Sequence, residues 1–319
     1  MEGTTDPGRD HPGEMVTQVM TPPSAGSTVS CSVVIAAHNA AGTLGAQLDA
    51  LAGQEGDLEL EIIVVANRCT DDTVGLVESY RQAGHYPHKL RVIRADLRAA
   101  STYARNRGVE IASHHRILVC DADDMVWPTW AYELCSSLEN ADVVSGALAL
   151  WNPNTYPNPT QMHEFEIEIP DDVRYDFLPA FVGANHAFRR SLWTAIDGYD
   201  EAFVNATDID FSWRAQLAGG KFVCNEQAMV YYRDRPTLRG IFRRERAYGR
   251  AEAQLYRKFR PYGMPKTRRL RRLPAIRWAH QIATTYRLLT AGGRRTWVAH
   301  LGKNLGRLQG SVQHRVFYL

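Results

Sequence analysis

Between residues 29 and 120, four apolar runs alternate with three helical spacings, and that order leaves few folds open. VSCSVVIAA (29–37) is a β-branched run of the kind buried on both faces of a parallel sheet. Residues 43–53 carry apolar positions at helical spacing and stop at Gly53. The pattern repeats with LEIIVVA (60–66), a helix over 72–84, KLRVIRA (89–95), a helix over 100–113 and RILVC (116–120). A β-α-β-α-β-α-β order predicts a parallel sheet with right-handed crossovers, hence an α/β fold. The rest is less regular. Residues 142–150 read as a strand, 151–161 as a Pro/Asn-rich loop and 183–191 as a strand entering a helix. A helix over 208–220 and a strand or hairpin over 221–233 follow. Beyond Pro236 the chain reads as helical and Arg-rich.

The chain has 319 residues, 45% of them apolar and 23% charged. That suffices to bury a core without metal or disulfide staples, and it excludes disorder throughout, collagen and a coiled coil. No run approaches the ~20 apolar residues of a membrane-spanning helix. Five scattered cysteines with no CxxC argue against structural zinc and for reduced thiols in a cytoplasmic protein. Residues 1–28 lack the apolar centre of an export signal and read as a disordered leader.

The net charge of +2 conceals two opposite parts. From Arg233 onward stand 22 Lys and Arg against 3 Asp and Glu, a net of +19. The first 232 residues hold 15 basic against 32 acidic residues, a net of −17. A basic part of this kind meets phosphates, anionic headgroups, nucleic acid or the acidic body itself.

In an open parallel sheet, ligands bind beyond the carboxyl ends of the strands. The residues there are Ala37-His38-Asn39, Asn67 to Asp71, and Asp121-Ala122-Asp123-Asp124. None follows a Gly-rich dinucleotide pattern, and a GxxxxGK[ST] loop is missing, which excludes a P-loop. Three carboxylates in four residues repel one another, and a divalent cation would relieve that. The plainer reading is an Asp-rich turn before the next helix. Thr207-Asp208-Ile209-Asp210 opens a helix, so Thr207 reads as an N-cap and the acids as dipole partners. Residues two apart face different sides, so one aspartate at most is free to act as a general base. Thr70 likewise reads as an N-cap with Asp71 and Asp72 in the first turn, while Asn67 is placed to read a base edge. Arg105, on the third helix, is either solvated or paired with a diphosphate.

Together these residues resemble the family 2 glycosyltransferases, enzymes of the GT-A fold, over about residues 29–260. The marks stand in the family's order: Ala37-His38-Asn39, then EIIVVANRCTDDT, then ARNRG followed by ILVCDADD, then GANHAFRRSLWTAIDGYDE followed by Thr207-Asp208. The resemblance implies Asp123 as metal ligand, Asp121 beside the ribose or the metal, and Mn²⁺ or Mg²⁺ as cofactor. It implies Asp208 as the catalytic base of an inverting displacement. Ala37, His38, Asn39 and Asn67 fall around the nucleotide, with Arg105 near it. Gly183, Ala184 and Asn185 fall beside the donor sugar and the acceptor. The implied partners are a nucleoside-diphosphate sugar of UDP, GDP or dTDP type and a hydroxyl acceptor, whether small molecule, glycan or lipid-linked. The sequence departs from the family at three places. Asn67 stands where Asp is common, Thr207 where Glu is common, and Tyr231-Tyr232 where a metal-binding His is common. The departures keep a second reading open, a nucleotide-sugar-binding pseudoenzyme or a membrane-surface binding protein.

The expected organisation is a GT-A domain over 29–235, with a mainly parallel sheet, a nucleotide-binding half (29–124) and an acceptor half (125–235). A basic helical extension covers 236–319. Residues 236–258 and 266–277 interleave Arg with apolar side chains. They read either as an amphipathic helix packed on the acidic body or as a peripheral membrane contact near a lipid-linked acceptor. Dimerisation is a third use, and no motif supports binding to nucleic acid. Arg243, Arg244 or Arg250 would also stand where a lid could close over a diphosphate.

Overall fold

The computed structural model describes residues 28–318 except 153–154, 156–157, 163–166, 169–172, 175, 234–236 and 267–273. The expected leader, as far as residue 27, and the arginines at 268–272 lie outside the described residues. The first part alternates as expected: β1 (Val29–Ala37), α1 (Leu44–Ala52), β2 (Leu58–Ala66), α2 (Thr73–Gln82), β3 (Lys89–Arg94), α3 (Ser101–Ile111) and β4 (Arg116–Asp121). Then come β5 (Met125–Val126), α4 (Trp130–Ser137), β6 (Val143–Trp151), β7 (Ile167–Glu168), β8 (Val173–Arg174) and β9 (Leu178–Pro179). The domain closes with β10 (Asn185–Arg189), α5 (Arg190–Ala195), α6 (Thr207–Leu217) and β11 (Phe222–Arg233). An arm of α7 (Leu238–Phe259), α8 (Pro274–Ala283) and α9 (Ala291–Gln313) follows.

The main sheet has the order β3-β2-β1-β4-β10-β6-β11-β5, with β7 beside β6. β1 to β4 pair in parallel, while β10 runs antiparallel between β4 and β6. The period of two explains the layers. Cys31, Val33 and Ile35 of β1 join Leu44, Leu48, Val77, Trp130 and Leu134 from α1, α2 and α4 on one face. Val34 of β1 joins Val109, Leu192 and Phe211 from α3, α5 and α6 on the other. Both faces are covered, so the strands need unbroken apolar runs. Glu61 is the exception inside β2. It is fully buried and held by Lys89 at 2.8 Å, Arg91 at 2.9 Å and the Ser113 N–H at 2.7 Å. Burial opposes its charge, but these partners prevail and hold its carboxyl well below the ordinary value.

The arm packs on the body through Leu255 and Phe259 against Trp213 and Phe203. Lys258 adds ion pairs to Asp200 at 2.7 Å and Asp210 at 2.6 Å. Within the arm, α7 and α9 lie parallel at very short range. Gly302, Gly306 and Gly310 of α9 face the backbone oxygens of Phe242, Arg246 and Arg250 in that order. A Cβ on Gly306 would stand 2.1 Å from the Arg246 oxygen, so only glycine permits this approach. Glu252 of α7, buried in the seam, pairs with Lys303 at 3.1 Å and with Arg307.

Candidate active site

Strand register gathers the site. Ala37 at the end of β1 pairs with Ala66 of β2, and Ala36 pairs with Asp121 of β4. Because β10 is antiparallel, its first residue, Asn185, lies opposite Cys120. His38, Asn67, Asp121 and the Gly183-Ala184 loop therefore share the carboxyl edge of the sheet.

Three residues of the Ala104-to-Gly108 segment have a use there. Arg105 is almost wholly buried, and its Nη2 donates to Asp121 Oδ1 at 2.8 Å and to the Gly183 carbonyl at 2.9 Å. Asn106 donates to the Tyr199 carbonyl at 2.9 Å and accepts the Tyr199 N–H at 2.9 Å, pinning the loop before α6. Gly108 lets α3 settle on β1, since a Cβ would meet Val34 at 2.4 Å. The Gly183 N–H in turn donates to Asp208 Oδ2 at 3.1 Å. A continuous relay thus runs Asp121, Arg105, Gly183, Asp208. Burial opposes the Arg105 charge, but Asp121, Tyr199 and Asp208 outweigh it and raise its pKa. Burial raises the Asp208 carboxyl above its ordinary value, against the lowering effect of the Ile209 N–H, Arg105 and the Gly183 N–H. The Asp121 carboxyl also stands above its ordinary value, from burial and from Asp123, with Arg105 opposing.

Asp121, Asp123 and Asp124 bring carboxylate oxygens within 4.8 Å of one another. Asp124 is 2% exposed and accepts the Arg233 N–H at 2.9 Å through Oδ1. Among the described residues its buried Oδ2 has no hydrogen-bond partner. Burial, then Asp121 and Asp123, drive its carboxyl well above the ordinary value. An orphaned buried oxygen among hard oxygen donors fits Mg²⁺ or Mn²⁺. Asp124 belongs to this cluster beside the expected Asp121 and Asp123. Tyr232 is half-buried nearby, and burial, Tyr248 and the aspartates hold its hydroxyl protonated.

On the other side, His38 and Asn39 are exposed, and His38 Nδ1 lies 2.7 Å from the Asn67 carbonyl. Asn39 adopts φ 50° and accepts the Thr70 N–H at 2.7 Å. Both amide hydrogens of Asn67 are engaged, one by the Ala95 carbonyl and one by the Arg98 carbonyl at 2.7 Å. Its amide therefore offers a ligand only the oxygen Oδ1. Ala37 is 1% exposed, so its backbone rather than its methyl borders the site.

Three readings are corrected. Asn185, expected beside the donor sugar, is fully buried. It accepts Trp130 Nε1–H at 2.8 Å and donates to the carbonyls of Ala147 at 2.8 Å and Ala228 at 2.7 Å. It holds β6, β11 and α4 together instead. Thr207 is not the N-cap of α6. Ala206, at φ 56°, has that place, and Thr207 is the first helical residue. Nor does Thr70 cap α2, whose N-cap is Asp72. Asp71 Oδ1 accepts the Thr73 N–H at 3.1 Å, doing the work expected of Thr70. The face argument for α6 holds. Asp208 turns to Gly183, whereas Asp210 is buried against Arg214 at 2.8 Å and Lys258. Sequence reasoning missed Gln47. Its amide donates to the Asp121 carbonyl at 3.1 Å and accepts the Val126 N–H at 3.0 Å, bracing both ends of the acidic loop. The available signal was a Gln on the apolar face of α1.

Sequence models of two families match the chain. The one described as Glycosyl transferase family 2 matches residues 32–195, and Glycosyl transferase family group 2 matches residues 116–301. The succinoglycan biosynthesis protein ExoO of Rhizobium meliloti is 28% identical over 171 residues, 53% of this chain and 47% of that protein. The uncharacterized glycosyltransferase YibD of Escherichia coli is 36% identical over 103 residues, 32% of this chain and 28% of that protein. The chain thus spans less than half the length of either relative. Among solved structures, the fold is similar to mannosyltransferase PcManGT from Pyrobaculum calidifontis in complex with GDP-Man and Mn²⁺, at TM-score 0.60 and 19% identity, covering 88% of this chain and 86% of that one. It is also similar to S. aureus TarS 1-349 in complex with UDP, at TM-score 0.51 and 18% identity, covering 91% and 93%.

Proposed function

Because the chain belongs to glycosyl transferase family 2 and has the GT-A fold, we propose that it moves a sugar from a nucleoside-diphosphate donor to an acceptor hydroxyl with inversion. The observation that carries this reading is the relay from Asp121 through Arg105 and Gly183 to Asp208. It couples the acidic loop, where a diphosphate would be held, to a carboxylate that can accept a proton.

Asp208 takes the proton of the acceptor hydroxyl as that oxygen attacks the anomeric carbon. The new carbon–oxygen bond forms on the face opposite the breaking bond to phosphate, and the nucleoside diphosphate leaves with the bonding pair. The raised pKa of Asp208 makes its carboxylate a stronger base. The Gly183 N–H fixes which way its second oxygen points. Asp123, Asp121 and Asp124 would hold a divalent ion, which supplies positive charge to the departing diphosphate. Arg105 keeps Asp121 oriented. His38 and Asn39 border the nucleoside, and the Asn67 oxygen accepts an N–H from its base. Uracil, thymine and guanine each carry such an N–H, consistent with the UDP and GDP-Man of the similar structures. Gly183 and Ala184 border the sugar. The reading places the chain in the cytoplasm, with the arm as its contact to a membrane surface. Among the described residues no helix is long and apolar enough to cross a membrane.

The test uses the full chain in thermal-shift titrations with UDP, GDP and dTDP, with and without Mn²⁺, and donor hydrolysis as a readout needing no acceptor. One nucleotide should stabilise the fold by about 2.7 kcal/mol at ~100 times its Kd. Asp208→Asn should keep that stabilisation and lose hydrolysis. Indifference to all three nucleotides overturns the proposal.

A further inference from the structure

Residues 253–319 contain 15 Lys and Arg and no Asp or Glu. Four acids in or beside the arm already have partners. Glu252 is held by Lys303 and Arg307, Glu245 by Arg244 at 3.2 Å, and Asp200 and Asp210 by Lys258. By sequence, residues 253–319 therefore carry a net charge of +15.

The same region exposes large apolar side chains. Ile282 at the end of α8 is 69% exposed, and Tyr286 and Leu289 of the 3-10 turn Thr285–Leu289 are 63% and 85% exposed. Internal contacts hold them outward. Gln281 donates to the Trp297 carbonyl at 3.0 Å and Trp297 Nε1–H donates to the Gln281 carbonyl at 2.9 Å, which clamps α8 to α9. Arg287 lies within the turn, and exposed Arg294 opens the following helix. The His280 and His300 rings are 6.3 Å apart, and His300 lies within electrostatic reach of Glu245. Arg244, beside Glu245, lies within the same reach of Tyr232 at the acidic loop.

We propose that the face formed by α8, the turn 285–289 and the start of α9 docks on an anionic lipid surface. Arg287 and Arg294 meet phosphate headgroups while Ile282, Tyr286 and Leu289 enter the acyl boundary. Charge and chemistry select this occupant. A second copy would bring an arm that lacks acids over 253–319 against its like, which repels it. A nucleic acid would satisfy the arginines but give Ile282 and Leu289 no apolar surroundings. A bilayer interface offers both, and each basic residue and each buried aliphatic chain adds to binding. The inference names the surface behind the membrane contact proposed above, and its readout is independent of catalysis.

The test is flotation of the full chain with vesicles of phosphatidylcholine alone, or with a third phosphatidylglycerol, at low and high salt. The chain should float with the anionic vesicles and bind neutral ones at least about tenfold more weakly. Ile282→Asp with Leu289→Asp should cut binding by about tenfold or more, as should Arg287→Glu with Arg294→Glu. Nucleotide stabilisation, read alongside, should be unchanged in both pairs, which shows that the fold survives. Absence from anionic vesicles, equal binding to neutral ones, or full binding by either pair overturns the inference. So does a dimer in sedimentation velocity that Ile282→Asp dissolves, which would assign the face to a second copy.

Discussion

The β1-to-β4 half and the α7–α9 pair both bring backbone very close to a neighbour, but they treat charge in opposite ways. In the sheet half, buried charges are enclosed and matched: Glu61 by Lys89 and Arg91, Arg105 by Asp121. In the arm, one buried acid, Glu252, answers two cations in the seam, while Arg243 and Arg294 stand exposed on the surface. The first arrangement suits a site that must hold a carboxylate and a guanidinium at fixed positions. The second leaves a field on the surface, which acts on partners rather than on the fold.

The largest effect should come where the matched half meets the reaction. Asp208→Asn should lower transfer by about 10²–10⁴-fold, the usual worth of a general base, and leave nucleotide affinity intact. A matching loss of nucleotide affinity would show that Asp208 shapes the pocket instead. In the arm, Glu252→Gln leaves Lys303 and Arg307 uncompensated and should cost about 3–5 kcal/mol in thermal or urea unfolding.

The same residue sets an acid dependence. Burial opposes its charge, yet Arg307 and Lys303 lower its pKa from 4.5 to about 2. A lowered folded-state pKa stabilises fully above the unfolded value and is lost as pH falls from about 4.5 toward 2. Melting curves of the wild type and Glu252→Gln across that window should converge.

A third comparison is between glycines. Gly306→Ala meets the Arg246 backbone oxygen, whereas Gly108→Ala meets a Val34 methyl that can shift. The arm variant should lose more stability, within about 1–3 kcal/mol, and equal losses would mean that the two contacts are alike. The smallest effect is expected at Asn67→Ala, which removes the two N–H donors to the Ala95 and Arg98 carbonyls without setting a charge against them. A loss of about 1 kcal/mol in unfolding is expected.

The order of strands and helices as far as β4 was legible because burial on both faces demands continuous apolar runs, and the observed ends fall within a few residues of those read. The acidic loop was legible as chemistry out of place in such a pattern, and Asp208 only through the family resemblance. Caps were not. Thr70 and Thr207 are good capping residues, but the loop geometry gave those places to Asp72 and to Ala206 in a left-handed conformation. Asn185 was expected beside the sugar on the family resemblance alone. Its burial depends on how β6 and β11 extend past β4, which no local pattern records.

Local sequence, then, determined the alternating framework, the edge where chemistry gathers and the separation of charge along the chain, because these follow from periodicity and composition. Tertiary structure alone decided that Arg105 joins Asp121 to Gly183, that Asp208 rather than Asp210 faces the site, and that α7 and α9 run parallel on a glycine seam. Each of these joins residues dozens of positions apart or more, or turns one helix face instead of another. Such choices are made by the packing of whole elements against one another.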